Sequence, residues 1–455
     1  MYVESYSPIN NKVIGKVEES SLEEIELKVR NSRIAQVKWN DIGLEKRLEY
    51  LIKLYKEFEK NKEDLSNSIT LEMGMPITFA REDIDSGLNY MHWYLDNGKE
   101  VLKETITYED ETQIHKVFYE PKGVVVTIVA WNFPFSNFIW QVMQNLIVGN
   151  TVVLKHSEYT ILVCKKMEEI ISTVLPKDVL NVVYGDSAVG EMLVNQDIDL
   201  ICFTGSSKTG EKLYKVASEK FIPVLLELGG SACGIVCEDI DVDSVIDSIY
   251  FGKFYNSGQV CDGLKRLLVQ ESKFDEVTEK LKNLLESKKT GNPLEEDTDI
   301  GTIVSKKQLE TLESQFSDAI SKGAKVICGG SRLELDNGNY FLPTLITNIS
   351  KDMLVYIDEV FGTILPVISF KTIDEAIEIA NDTKYGLGGY VFTKDMNKFK
   401  EISSKLKTGM VTLNNLTYVM PCNPFGGYKK SGLGRNHGEF GFKELCNIKV
   451  VTFEK

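Results

Sequence analysis

Gly123-Val124-Val125-Val126-Thr127-Ile128-Val129-Ala130-Trp131-Asn132-Phe133-Pro134 runs from a near-continuous apolar segment into a polar stretch where a proline fixes a turn. A run so rich in valine and isoleucine suits a strand buried on both faces, the kind found in parallel sheets. The pattern then repeats downstream. Thr151–Leu154 reads as a strand, 163–174 as a helix, 181–184 as a strand and 189–194 as a helix. Leu200–Phe203 is the next strand, 210–218 the next helix, and 224–226 another strand. Strand and helix in alternation predict a doubly wound α/β domain.

Upstream, residues 21–104 are helix-rich. Ser20-Ser21-Leu22-Glu23-Glu24 has the composition of a capped start, and apolar residues recur every three or four positions from Leu44 to Phe58. Residues 105–118 alternate β-formers with polar residues, as a solvent-reaching strand pair does. A second α/β unit is expected over about 230–428, with strands near 234–236, 266–269, 367–370 and 410–413. Ile448–Phe453 is one more alternating strand, arriving after that unit should be complete. Such an orphan pairs elsewhere, either with the 105–118 strands or with a partner subunit.

Length and composition bound the function. At 455 residues the chain should form two or three packed units, and its 43% apolar and 26% charged residues are ordinary for a soluble protein. A net charge of −15 with no basic face argues against nucleic acid as the main partner. No uncharged apolar stretch reaches about eighteen residues, so no membrane span is expected. Met1-Tyr2-Val3-Glu4-Ser5 lacks a basic start and an apolar run, which points to a cytoplasmic protein. The eight cysteines show no C-x-x-C spacing and read as free thiols; Cys233 and Cys237 have no histidine to complete a metal site, so no metal is expected.

Reactive groups stand out against this background. Cys261 closes Asn256-Ser257-Gly258-Gln259-Val260-Cys261, where a Gly-Gln pair can bring backbone amides close. Glu227 sits in the apolar, glycine-terminated Leu226-Glu227-Leu228-Gly229-Gly230. A thiolate nucleophile with a separate carboxylate base suits covalent chemistry on a carbonyl. Asn132 is either a loop amide bonding its own backbone or a donor aimed at an oxyanion. Lys155 and Glu158 follow one strand, with side chains suited to ribose hydroxyls; Gly205-Ser206 follows another, as a plain strand-to-helix turn or a pyrophosphate cradle. Glu359, in Asp358-Glu359-Val360-Phe361-Gly362, is a surface acid or a site residue, and Pro424–Arg435 is a long glycine-dense loop of the kind that carries function.

In order and spacing these segments resemble the NAD(P)-dependent aldehyde dehydrogenase superfamily over nearly the whole chain. The short bacterial and archaeal succinate-semialdehyde dehydrogenase type is the most similar, through Lys155-His156, Asn256–Cys261 and Phe442-Lys443-Glu444-Leu445-Cys446-Asn447-Ile448. The resemblance implies an α/β fold with a Rossmann-type cofactor domain (1–104 and 122–229), an α/β catalytic domain (230–428) and a small β oligomerisation element (105–121 and 429–455). It implies Cys261 as nucleophile, Asn132 with the Cys261 backbone N–H as oxyanion donors, and Glu227 as the base that activates water against a thioester. Trp131, Lys155, Glu158, Gly205, Ser206, Glu359 and Phe361 match cofactor-binding positions. Glu158 facing the adenosine ribose favours NAD over NADP, with Lys208 the residue able to soften that choice.

Phe133, Asn137, Trp140, Val260 and Asp262 match the aldehyde tunnel, with 415–423 at its mouth. Asp262 is awkward for an anionic substrate unless Lys265, Arg266 or a more distant arginine neutralises it. Succinate semialdehyde is the first substrate by resemblance; lactaldehyde, glyceraldehyde or aminoaldehyde types, and a CoA-acylating enzyme, are the alternatives. Retention of Glu227 favours hydrolysis over acyl transfer to a thiol. Ala130, His156, Thr363 and Asn436 depart from the usual motifs without removing a reacting group. A homodimer or homotetramer is expected.

Overall fold

The computed structural model describes residues 1–415 and 419–455. A six-stranded sheet runs in the order Gly432–Leu433, Val224–Glu227, Leu200–Thr204, Val124–Ile128, Thr151–Lys155, Leu180–Val183. The five longer strands are parallel and the two-residue one is antiparallel. The chain winds outward from Val124–Ile128 to Leu180–Val183, then restarts on the other side at Leu200–Thr204. The winding therefore reverses between two central strands, and the carboxyl ends of such strands bound a ligand crevice. Register places Ile128 beside Lys155 and Phe203, and Thr204 beside Glu227, so four strands finish along one edge.

Period-two alternation explains the unbroken apolar runs. Val125, Val152, Leu154, Leu200, Cys202 and Leu225 enter one core, while Val124, Val126, Val153, Ile201 and Leu226 enter another on the opposite face. Pro134 is not confined to a turn: it is the first residue of the helix Pro134–Val148, where its missing N–H costs nothing. That helix is buried nearly all round, so it has no polar face to betray it by periodicity. Helices Leu22–Asp41, Leu44–Lys60, Lys62–Met73 and Ile77–Val101 fill the amino-terminal region, as the sequence predicts, but the hairpin Tyr2–Tyr6/Val13–Glu18 ahead of them was not foreseen.

A seven-stranded sheet follows, in the order Lys325–Cys328, Thr344–Thr347, Ile364–Phe370, Leu264–Gln270, Ala232–Val236, Gly389–Phe392, Thr412–Leu413. Three of these strands were missed and the last is shorter than expected. Cys446–Glu454 pairs along its whole length with Gln113–Pro121, which also pairs with Thr105–Glu109. The orphan strand thus finds the earlier strand pair in its own chain. The boundary expected at 429 needs correction, because Gly432–Leu433 complete the edge of the six-stranded sheet rather than the three-stranded one. Among the described residues no helix is long and apolar enough to cross a membrane.

Candidate active site

The short helical turn Tyr255–Gly258 delivers Cys261. Asn256 and Ser257 both hold left-handed backbone, at φ 49° and 55°, conformations that cost roughly 1–3 kcal/mol each in a non-glycine residue. Buried hydrogen bonds hold Asn256 there. Asn256 Nδ2 donates to the Asn132 carbonyl at 2.7 Å, and Gln259 Nε2 donates to the Asn256 and Thr302 carbonyls. Asn132 Nδ2 returns the contact by donating to the Gln259 carbonyl at 3.0 Å. The asparagine loop and the cysteine loop are therefore stitched together. Gly230 is required opposite them, since a Cβ there would lie 2.4 Å from the Cys261 carbonyl.

Cys261, Glu227 and Asn132 line one cavity of about 390 Å³, with Trp131, Trp140, Gly205, Ser206, Glu359 and Phe361. Glu227 is 4% exposed and neither carboxylate oxygen has a hydrogen-bond partner among the described residues. Burial pushes its pKa well above the usual carboxylate range; Arg435 pulls it back and Asp262 pushes it further. The Cys261 thiol is also raised, first by burial and then by Asp262, Glu359 and Glu227, while Lys265 acts in the opposite sense. A thiol, an uncommitted carboxyl and an amide donor share one small space. That arrangement suits acyl chemistry through a covalent intermediate.

The other end of the cavity has the character of a nucleotide slot. Glu359 Oε1 accepts from the Gly230 N–H at 3.0 Å and lies 3.8 Å from the buried Lys265 ammonium. Trp131 and Phe361 meet edge to face at 5.5 Å. Gly205 and Ser206 open the helix Ser207–Lys220, whose positive end is directed at the sheet edge. The Ser206 hydroxyl is engaged in capping, accepting from the Thr209 N–H. Lys155 and Glu158 do not line this cavity. Lys155 is 4% exposed, donates to the His156 carbonyl and lies 3.9 Å from Glu158, which lines a different cavity with Tyr159, Lys306 and Lys307.

On the opposite side Trp140 stands between Tyr90, at 5.1 Å, and Phe425, at 5.8 Å between ring centres. Phe133 stacks on Tyr255, and neither it nor Val260 or Asp262 lines the main cavity, although the Asp262 carboxylate accepts from the Cys261 thiol. Lys265 is engaged with Glu359, the Gly258 carbonyl and the Phe361 ring. Arg266 donates to the Ser231, Ile379 and Ala380 carbonyls. The segment 415–423 lies partly outside the described residues.

The expected long loop 424–435 is more ordered than its glycines suggest. Gly432 and Leu433 pair with Glu227 and Leu226, and the Ser431 hydroxyl donates to the Gly229 carbonyl, because the edge strand carrying Glu227 needs backbone partners. His156 and Thr363 each make bonds that proline cannot: His156 Nε2 contacts the Pro134 carbonyl and Thr363 Oγ1 the Phe341 carbonyl. Tyr90, Gln308, Gln315 and Tyr385 escaped sequence reading, having no motif around them. Asn256 and Gln259 were in plain view beside Cys261.

Residues 1–451 match the family model described as Aldehyde dehydrogenase family. Betaine aldehyde dehydrogenase, chloroplastic, of Beta vulgaris is 36% identical over 458 residues, covering 98% of this chain and 92% of the relative. Aminoaldehyde dehydrogenase 1, peroxisomal, of Pisum sativum is 34% identical, covering 99% and 92%. Among solved structures, the NAD+ complex of aldehyde dehydrogenase from Bacillus cereus superposes with a TM-score of 0.96 at 31% identity, over 100% of this chain and 93% of that one.

Proposed function

The chain belongs to the aldehyde dehydrogenase family, and we propose that it oxidises a short aldehyde carrying a cationic or neutral tail to the carboxylic acid, with NAD+ preferred over NADP+. What supports the reading is the convergence of Cys261, Glu227 and Asn132 on one cavity whose far end suits a dinucleotide. The Cys261 thiolate attacks the aldehyde carbon, and the oxyanion takes hydrogen bonds from the Asn132 amide and the Cys261 N–H. Bound at the Gly205–Ser206 and Glu359 end, NAD+ supplies the hydride acceptor. Glu227 then takes a proton from the water that cleaves the resulting thioester.

The residues fit the cofactor. The crevice lies where the sheet reverses its winding, a helix N-terminus faces it, and aromatic walls at Trp131 and Phe361 flank it. Glu158 is the basis for NAD+, as its carboxylate accepts from ribose hydroxyls and repels a 2′-phosphate. Lys306 and Lys307 share its cavity and temper the repulsion. With one aldehyde, kcat/KM is expected to favour NAD+ by about tenfold or more, and Glu158→Gln should narrow the gap. Equal or better turnover with NADP+ in the wild type overturns the assignment.

For the aldehyde, the described lining of the cavity contains no lysine or arginine, while Glu227 lines it and Asp262 adjoins Cys261. Trp140 and Phe425 add faces that attract cations. These features and the names of the relatives favour an aminoaldehyde over succinate semialdehyde. In a kinetic panel, an ω-aminoaldehyde is expected to exceed succinate semialdehyde by about tenfold in kcat/KM, roughly 1.4 kcal/mol. Preference for the semialdehyde would restore the anionic reading.

We read the six-stranded sheet with its helices as the cofactor unit and the seven-stranded sheet as the catalytic unit. The three-stranded sheet leaves Ile106, Tyr108, Ile448, Val450 and Phe453 exposed, which supports self-association as a dimer or tetramer. Eight free cysteines suit a reducing, cytoplasmic setting.

A further inference from the structure

Asn132 acts through one N–H of its side-chain amide, and an amide can be turned end for end at little cost in shape. A turned amide would present oxygen to a developing oxyanion and repel it. Something must decide which way it faces, and the hydrogen bonds around it do so. Asn137, in the first turn of the helix Pro134–Val148, is 3% exposed and folds its side chain back over the loop. Its amide approaches the Ala130 carbonyl at 3.3 Å and the Asn132 side chain at 3.1 Å. A backbone carbonyl only accepts, so the Asn137 atom between them is the NH2 group, and the Asn132 atom facing it is oxygen. At the other end of Asn132 the Gln259 carbonyl, at 3.0 Å, likewise demands nitrogen. Both ends agree. One Asn132 N–H is held by Gln259, and the other has no partner among the described residues of the cavity that Asn132 lines.

The support is rigid. Asp83, fully buried, accepts from the Phe135 and Ser136 N–H groups at 3.0 and 3.1 Å and fixes the helix start that carries Asn137. Asn256 holds the Asn132 carbonyl from the opposite side.

We infer that Asn137 is a positioning residue whose amide sets the orientation of the Asn132 oxyanion donor, beyond any place it has in the tunnel wall. This rests on the reading of Asn132 as that donor. Asn137→Leu removes the donor and frees the Asn132 amide to turn. Asn137→Asp keeps the shape but only accepts when ionised, so it draws the Asn132 NH2 toward itself and turns oxygen to the reaction. A residue that merely packs would tolerate the isosteric aspartate better than leucine; a positioning residue gives the reverse order.

The test is the rate of NADH formation with enzyme in excess over aldehyde, for wild type, Asn132→Ala, Asn137→Leu, Asn137→Asp and both double variants. Losing one oxyanion donor costs roughly 10²–10³ in rate. Asn137→Leu is expected to lose about tenfold and Asn137→Asp about 100-fold, with the KM for NAD+ unchanged. In the Asn132→Ala background both should change the rate less than about threefold. Iodoacetamide alkylation of Cys261, which needs no oxyanion donor, should be unaffected, and that result also reports a folded site. Asn137→Asp within about threefold of wild type, or losses that persist in full on Asn132→Ala, would overturn the inference while leaving the parent reading intact. An Asn132→Ala protein as fast as wild type would remove the parent reading itself.

Discussion

The Cys261→Ser protein is expected to fold and to lose aldehyde oxidation by a factor on the order of 10⁴ or more. Cys261 carries the only thiol among the described residues that line the cavity. The serine hydroxyl would sit in the same ring of carboxylates, Asp262, Glu359 and Glu227, with Lys265 as the opposing charge. Those acids and the burial already hold the thiol above its ordinary range, and an alcohol starts far higher. The sign of the pH dependence follows. The thiolate is the active form, so a raised pKa makes alkylation by iodoacetamide and kcat/KM climb as pH rises toward the alkaline side. Both responses should vanish in Cys261→Ser. Mass spectrometry of the wild type, quenched during turnover, should find an acyl group on the peptide bearing residue 261. Turnover by Cys261→Ser within about tenfold of wild type, or an acyl group on another residue, would relocate the chemistry.

Which parts of this molecule can be read from its chain depends on how local the determining physics is. The parallel strands were legible because Val124–Ile128 and Leu200–Thr204 are buried on both faces and need no partner pattern to declare themselves. Gly389–Phe392 and Thr344–Thr347 are four residues long, and tertiary pairing rather than local preference makes them strands. The helix Pro134–Val148 was hidden for the opposite reason, being apolar or amide-bearing on every side. Cys261 and Glu227 were legible from the glycines around them, which the fold requires for close approach: Gly229 faces Glu359, and Gly230 the Cys261 carbonyl.

The surroundings of Asp262 were not legible, and the reason is geometric. Lys265 and Arg266 are adjacent in the strand Leu264–Gln270, so their side chains leave on opposite faces, one toward Glu359 and the other toward the Ile379 and Ala380 carbonyls. From sequence alone nothing separates the two. Tyr90, which packs on Trp140, comes from a helix remote in sequence, and only the assembled core brings them together.

The Glu227→Gln protein is expected to separate the two halves of the reaction. Glutamine keeps the shape of a side chain whose two oxygens have no partner among the described residues, so the fold should be undisturbed. Attack by Cys261 does not require Glu227 in this reading, whereas thioester hydrolysis does, because neutral water is a poor nucleophile without a base. Mixing enzyme, NAD+ and aldehyde should therefore give a burst of NADH close to one per site, then a steady rate lower by roughly 10³. Hydroxylamine, already nucleophilic at neutral pH, should restore turnover and yield the hydroxamate. In the wild type the base works only when ionised, and burial has raised its pKa, so deacylation should strengthen as pH climbs through a range above that of ordinary carboxylates. Glu227→Gln should lose that dependence. The same experiment distinguishes hydrolysis from acyl transfer to a thiol: wild type that forms free acid without added thiol is a hydrolase of its own thioester. Absence of the burst would instead place Glu227 in the acylation step, as the base that ionises Cys261, and an unchanged steady rate would remove it from the chemistry altogether.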